Sequence, residues 1–117
     1  MRMVLGMALA MIATGTLADE VDDAHRLALQ GRDSYWNCLA REYQNDGTRG
    51  MSAQAFTADI QSICPSERQN FRVTLIDYLS LQNPNAEVGS HLSTANRAIE
   101  LAQKDIINAF VKRKAAN

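Results

Sequence analysis

The chain is poor in the residues that most catalytic and metal sites are built from: 117 residues hold two Cys, two His, two Pro, one Trp and three each of Tyr and Phe. Each shortage removes a class of function. His25 and His91 stand far apart, and neither has a second histidine or a cysteine one helical turn away, so the spaced pair that holds zinc on a helix is missing. Cys38 is followed by Leu39, Ala40 and Arg41 rather than by the C-x-x-C-H of haem attachment. Haem held by His91 and Met51 would need the methionine on a core-facing helix, and Met51 falls in or beside a loop. There is no Gly-rich phosphate loop and no G-x-S-x-G elbow, and the carboxylates are scattered over polar faces. No catalytic residue, cofactor or metal ion is expected. An enzyme would require polar residues that converge in space without a local signature.

Charge of one sign is also lacking. Twelve basic residues face thirteen acidic ones, too close to neutrality for a nucleic-acid binder, which needs a clustered basic face to release counterions. Four of the five methionines lie within the first eleven residues, so a Met-rich adaptable groove is excluded as well.

What is present begins with the N-terminus. Arg2 precedes an apolar and small run from Met3 to Ala13, and Thr16-Leu17-Ala18 offers small residues around a cleavage point. Residues 1–18 therefore read as a cleaved signal peptide, and 19–117 as a single helical domain with room for one core. An uncleaved anchor would need roughly 20 apolar residues, and Thr14, Gly15 and Thr16 interrupt this run. A lipid anchor would need a cysteine at the cleavage point, whereas the first is Cys38. The mature product is expected in the periplasm or secreted, without an integral membrane span.

In that oxidising space an even pair of cysteines reads as a bridge. A redox or metal-binding pair would call for C-x-x-C spacing or further ligands, so Cys38 and Cys64 are expected to form a structural disulfide.

Apolar residues recur at helical spacing in four stretches, and no stretch alternates as a strand would. The expected fold is all-α, a small bundle of three to four helices with one disulfide linking helices 1 and 2. Helix 1 starts near Asp19, with Asp19, Glu20, Asp22 and Asp23 in the first turn where negative charge meets the positive end of the helix dipole. It runs to about Tyr43, with Ala24, Ala28, Gly31, Tyr35, Cys38 and Leu39 on one face. The turn formers from Asn45 to Gly50 break it. Ser52 can cap helix 2, whose stripe is Ala53, Phe56, Ile60, Ile63 and Cys64. Helix 3 starts either with Pro65 at its first position or with Ser66 and Gln69 as a capping box, and carries Phe71, Leu75, Tyr78 and Leu79. Asn83-Pro84-Asn85 ends it. Val88, Leu92, Ala95, Ile99, Ala102, Ile106 and Ala109 or Phe110 then mark a long helix 4. Lys112, Arg113 and Lys114 fall in its last turn, where cations complement the dipole.

Apolar residues are left over after each stripe is assigned: Leu29, Trp36, Ala40 and Tyr43 on helix 1, Ile76 and Leu81 on helix 3, Leu101 and Val111 on helix 4. Either helix 1 is sandwiched and buries both faces, or Trp36 and Tyr43 belong to a partner-binding surface, where aromatics are enriched.

Tyr35-Trp36-Asn37-Cys38-Leu39 followed by Cys64-Pro65-Ser66-Glu67 resembles a Y-x-x-C-L then C-x-x-E pattern of small exported proteobacterial helical proteins, over the stretch from Tyr35 to Glu67. The resemblance implies a periplasmic helical hairpin clamped by a disulfide and carries no activity with it. Trp36-Asn37-Cys38 is also similar to a W-x-C element of periplasmic acid-stress chaperones, which space their cysteines further apart; that likeness makes Trp36 and Tyr43 candidate client contacts. The function expected is therefore a non-enzymatic interaction protein whose partner is another envelope protein or a second copy of the chain. An acid-stress chaperone or an inhibitor of an envelope protein is the alternative.

Overall fold

A computed structural model describes residues 16–116. Most of the expected leader lies outside that range. Among the described residues the fold is all-α and holds four α-helices: α1 (Leu17–Gln44), α2 (Ala53–Ser62), α3 (Pro65–Gln82) and α4 (Val88–Ala116), with a short 3-10 turn (Asp46–Thr48) between the first two.

The local chemistry explains where each helix stops. α1 starts at Leu17, two residues earlier than the acidic cluster suggested. Thr16 stands at its N-cap without a side-chain cap bond, and Asp19 and Glu20 lie in the first turn. Cleavage after Ala18 would fall within that first turn, and the described residues it removes, Thr16, Leu17 and Ala18, are exposed. After α1, the Asn45 side chain accepts from the Gly47 amide at 3.1 Å. Thr48, buried, donates its hydroxyl to the Asn45 carbonyl at 2.7 Å. Ser52 caps α2 as expected, its hydroxyl accepting from the Ala55 amide at 3.1 Å.

Between α2 and α3 the chain turns in two residues, Ile63 and Cys64. Cys64 takes a left-handed conformation (φ 57°, ψ 46°) and Pro65 opens α3, so the Ser66–Gln69 capping box does not form. The disulfide accordingly joins α1 to the α2–α3 junction, because Cys64 sits just past the end of α2 instead of on its inner face.

Cross-helix contacts give the directions. His25 meets Tyr78, Gly31 meets Phe71 and Thr74, and Cys38 meets Cys64, so α1 and α3 run antiparallel. Tyr35 meets Gln103 and Tyr43 meets Arg113, so α4 runs parallel to α1. Gly31 permits the close crossing of α1 and α3: a Cβ there would lie 2.8 Å from Thr74 Oγ1 and 3.2 Å from the Phe71 Cα.

The core gathers Tyr35 and Leu39 from α1, Phe56 and Ile60 from α2, Cys64 and Phe71, and Ile99, Ala102, Ile106 and Phe110 from α4. Phe56 and Phe110 stack with ring centroids 4.0 Å apart and planes within 6°, which fixes α2 on α4. On the expected α1 face Ala24, Ala28, Gly31, Tyr35 and Leu39 are buried, and Cys38 is half-buried against the core. On α4 His91 is buried, while Leu92 is 44% exposed; the side chain of Val88 lies outside the described ones. Gln103 is buried too, donating its side-chain amide to the Tyr35 hydroxyl at 3.0 Å. On α3 only Phe71 is fully buried; Leu75, Tyr78 and Leu79 are half-buried, and Ala53 of α2 is exposed.

Candidate functional site

Two candidate regions lie one at each end of the α1–α3 pair. The first surrounds the disulfide. Cys38 and Cys64 are bonded, with Cα atoms 6.2 Å apart. Their sulfurs and the Glu67 carboxylate lie within 4.8 Å of one another, but bridged sulfurs are not thiolates and only the carboxylate remains as a strong ligand.

Trp36 and Tyr43 are both half-buried and pack against the core. Arg113 lies 4.2 Å over the Tyr43 ring and donates to the Tyr43 carbonyl at 3.1 Å. Lys114 donates to the Met51 carbonyl at 2.7 Å. The basic C-terminal turn of α4 thus does more than complement a helix dipole: it ties α4 to the end of α1 and to the following loop. Sequence spacing could not supply this, since the partners lie more than sixty positions away.

The same end holds a pair of carboxyl groups, Glu42 of α1 and Asp59 of α2. Asp59 Oδ2 is buried and has no hydrogen-bond partner among the described residues. Hydrogen bonding with the Asp59 side chain, then burial, then repulsion by the Asp59 charge push the Glu42 carboxyl above its ordinary value. Between the ordinary glutamate range and the raised value, the folded state holds a proton that the unfolded chain has released. The contribution to stability is complete below the ordinary glutamate range and is lost as pH rises through the raised value. Glu42→Gln keeps a neutral donor at this position. Relative to wild type it is expected to gain stability at about pH 7 and not at about pH 4. The gain should stay within ~1 kcal/mol because Glu42 is partly exposed. Denaturation of both proteins at the two pH values checks this, and an equal difference at both would show that the pair does not titrate.

At the opposite end, between the first half of α1 and the last half of α3, lies an open groove of about 540 Å³. Ala24, Leu27 and Leu81 supply its apolar surface, and Glu20, Asp23 and Asp77 its carboxylates. Leu27 is 49% exposed. Asp23 pairs with Arg26 at 3.2 Å; Glu20 and Asp77 form no ion pair among the described residues. The acidic first turn of α1 is thus brought beside a second helix's carboxylate and leucine. The sequence singled out Leu81 as a surplus apolar residue but not Leu27, whose role follows only from the α1–α3 register.

The histidines remain on separate helices. His25 stacks on Tyr78 at 4.8 Å between centroids, and His91 Nε2 lies 3.3 Å from the Asn83 carbonyl. Among the described residues no helix is long and apolar enough to cross a membrane.

Comparison with protein-family models, with curated proteins and with solved structures returns no match.

Proposed function

We propose that this chain is a non-enzymatic interaction protein acting in the periplasm or after secretion, and that it holds an envelope protein in the groove between α1 and α3. The observation that carries the reading is the groove itself: apolar side chains open to solvent, bordered by three carboxylates from two helices. Its volume falls in the range of sites that bury a side chain or a short segment. Apolar surface supplies affinity, and the acidic border steers a positively charged partner into register. The partner segment is therefore basic, with aliphatic side chains between its charges. Trp36 and Tyr43 belong to the other end, where packing against the core covers part of each ring, so they are the secondary candidate contact. The export-type leader, and the resemblance of the Tyr35–Leu39 and Cys64–Glu67 elements to small exported proteins, support the location.

A photo-crosslinking residue at position 27 in the native envelope is expected to capture one protein at fixed stoichiometry. Asp77→Lys should abolish the product while leaving the fold intact. A yield unchanged by Asp77→Lys, or capture from position 36 and not from 27, would move the interface away from the groove. A product made only of two copies of the chain would replace the envelope partner with a homodimer.

The Glu42–Asp59 pair supports a second reading, an acid-stress chaperone, because protonation in acid relieves the repulsion between its two carboxyl groups. Such a protein should suppress aggregation of unrelated clients at low pH, and absence of suppression removes that reading.

A further inference from the structure

A second concavity, about 500 Å³, separates α3 from α4 and shares no residue with the groove above. Its lining is polar: Gln61, Arg68, Arg72, Asn96, Glu100 and Gln103, over the buried Ile99. Arg68 and Arg72 stand one helical turn apart, so both reach the same side of α3. Each is held by neutral acceptors. Arg72 donates from Nε to Asn96 Oδ1 at 2.9 Å and from Nη1 to Gln69 Oε1, while Arg68 donates from Nη1 to the Gln61 carbonyl at 2.6 Å. Neither forms an ion pair among the described residues. The acceptors orient the guanidinium groups without compensating their charge, and each group has five N–H donors, so most donors on the pair remain free.

We infer that the Arg68–Arg72 cleft binds a small ligand carrying a doubly charged oxyanion group, a phosphate or a dicarboxylate. Two guanidinium forks on adjacent turns match the spread of oxygens on such a group and give short, charge-assisted hydrogen bonds. Gln103 is anchored through Tyr35 to α1 and Asn96 is anchored by Arg72, so this wall of the cleft is formed before any ligand arrives. Glu100 on the rim opposes an anion, which makes its removal informative. This inference does not rest on the envelope-partner reading, and either can fail alone.

The test is titration of the full chain with inorganic phosphate and, separately, with succinate at low ionic strength, followed by NMR of the arginine Nε–H and the Asn96 and Gln103 side-chain amides. Saturable one-to-one shifts confined to these groups are expected with at least one of the two anions, and which one identifies the source chemistry. Arg72→Gln should weaken binding at least about tenfold and Glu100→Gln should strengthen it. Lys112→Gln, which removes an exposed charge far from the cleft, should leave it unchanged. Should Arg72→Gln disturb the fold through loss of the Asn96 contact, Arg68→Gln provides the same reading. The inference is overturned if neither anion saturates, if the folded arginine variants bind as wild type does, or if Lys112→Gln weakens binding as much as they do.

Discussion

Replacing both Cys38 and Cys64 with serine is expected to remove about 3.5 kcal/mol of stability. The bridge spans a sequence separation of 26, and closing a loop of that length restricts the unfolded chain by roughly this amount in the entropic treatment. For a domain whose total stability is on the order of 5–15 kcal/mol, the loss corresponds to a fall of about 15–25 °C in Tm. The folded side of the balance works against this: Cys64 is in the left-handed region, which costs a side-chain-bearing residue on the order of 1–2 kcal/mol, and relaxation of that residue in the variant offsets part of the loss. Urea denaturation of the double variant against the oxidised protein measures the difference. A change below about 1 kcal/mol would show that helix packing alone determines this junction.

Phe110→Ala is expected to cost about 3–5 kcal/mol, because it empties a fully buried ring site. It also deletes the stack on Phe56, worth a further ~0.5–1.5 kcal/mol. The damage should be local before it is global. α2 has ten residues, fewer than the roughly 12–15 an isolated helix needs in water, so it depends on Phe56 and Ile60 meeting α4. Amide exchange in the variant should therefore speed up in α2 first, while α1 and α3, tied by the disulfide and by the Gly31 crossing, keep their protection. Uniform acceleration across all four helices would instead mean that α2 has no independent opening. The two losses are not simply additive, since Cys64, Phe56 and Phe110 share one core cluster.

These two sites differ in how far the chain announces them. The bridge is readable from an even pair of cysteines once an oxidising compartment is expected. The position of Cys64 is not: counting it into the helix 2 stripe places it on an inner face, whereas Pro65 takes the first position of α3 and leaves Cys64 to make the turn. Phe110 shares its place in the periodicity with Ala109, and stacking on Phe56 selects the aromatic ring. His91 and Leu92 show the same limit. They stand about 100° apart on a helix, and the apolar pattern favours Leu92, yet the contact with Asn83 at the start of the α3–α4 turn buries the histidine. A leucine row predicts an apolar face but not the rotation of the helix about its axis.

The candidate sites were less visible than the fold. The acidic first turn of α1 reads adequately as dipole compensation until α3 brings Asp77 and Leu81 beside it. Arg68 and Arg72 look like an ordinary solvated face until Asn96 and Gln103 approach from α4. Trp36 and Tyr43, the most conspicuous residues for a partner surface, are drawn half into the core by neighbours including Arg113.

By itself the sequence determined the local facts: an all-helical chain, the cap at Ser52, the stop at Asn83-Pro84 and the pairing of two cysteines. These depend on interactions within a few residues, or on there being only one pairing to make. Only the tertiary structure decided which helices meet, how they are rotated and how far they slide. The close crossing at Gly31, the Tyr35–Gln103 bond and the Phe56–Phe110 stack set that register together. A helix's periodicity records which side is apolar; the grooves between helices, where the proposed binding sites lie, exist only once two such sides have been brought into contact.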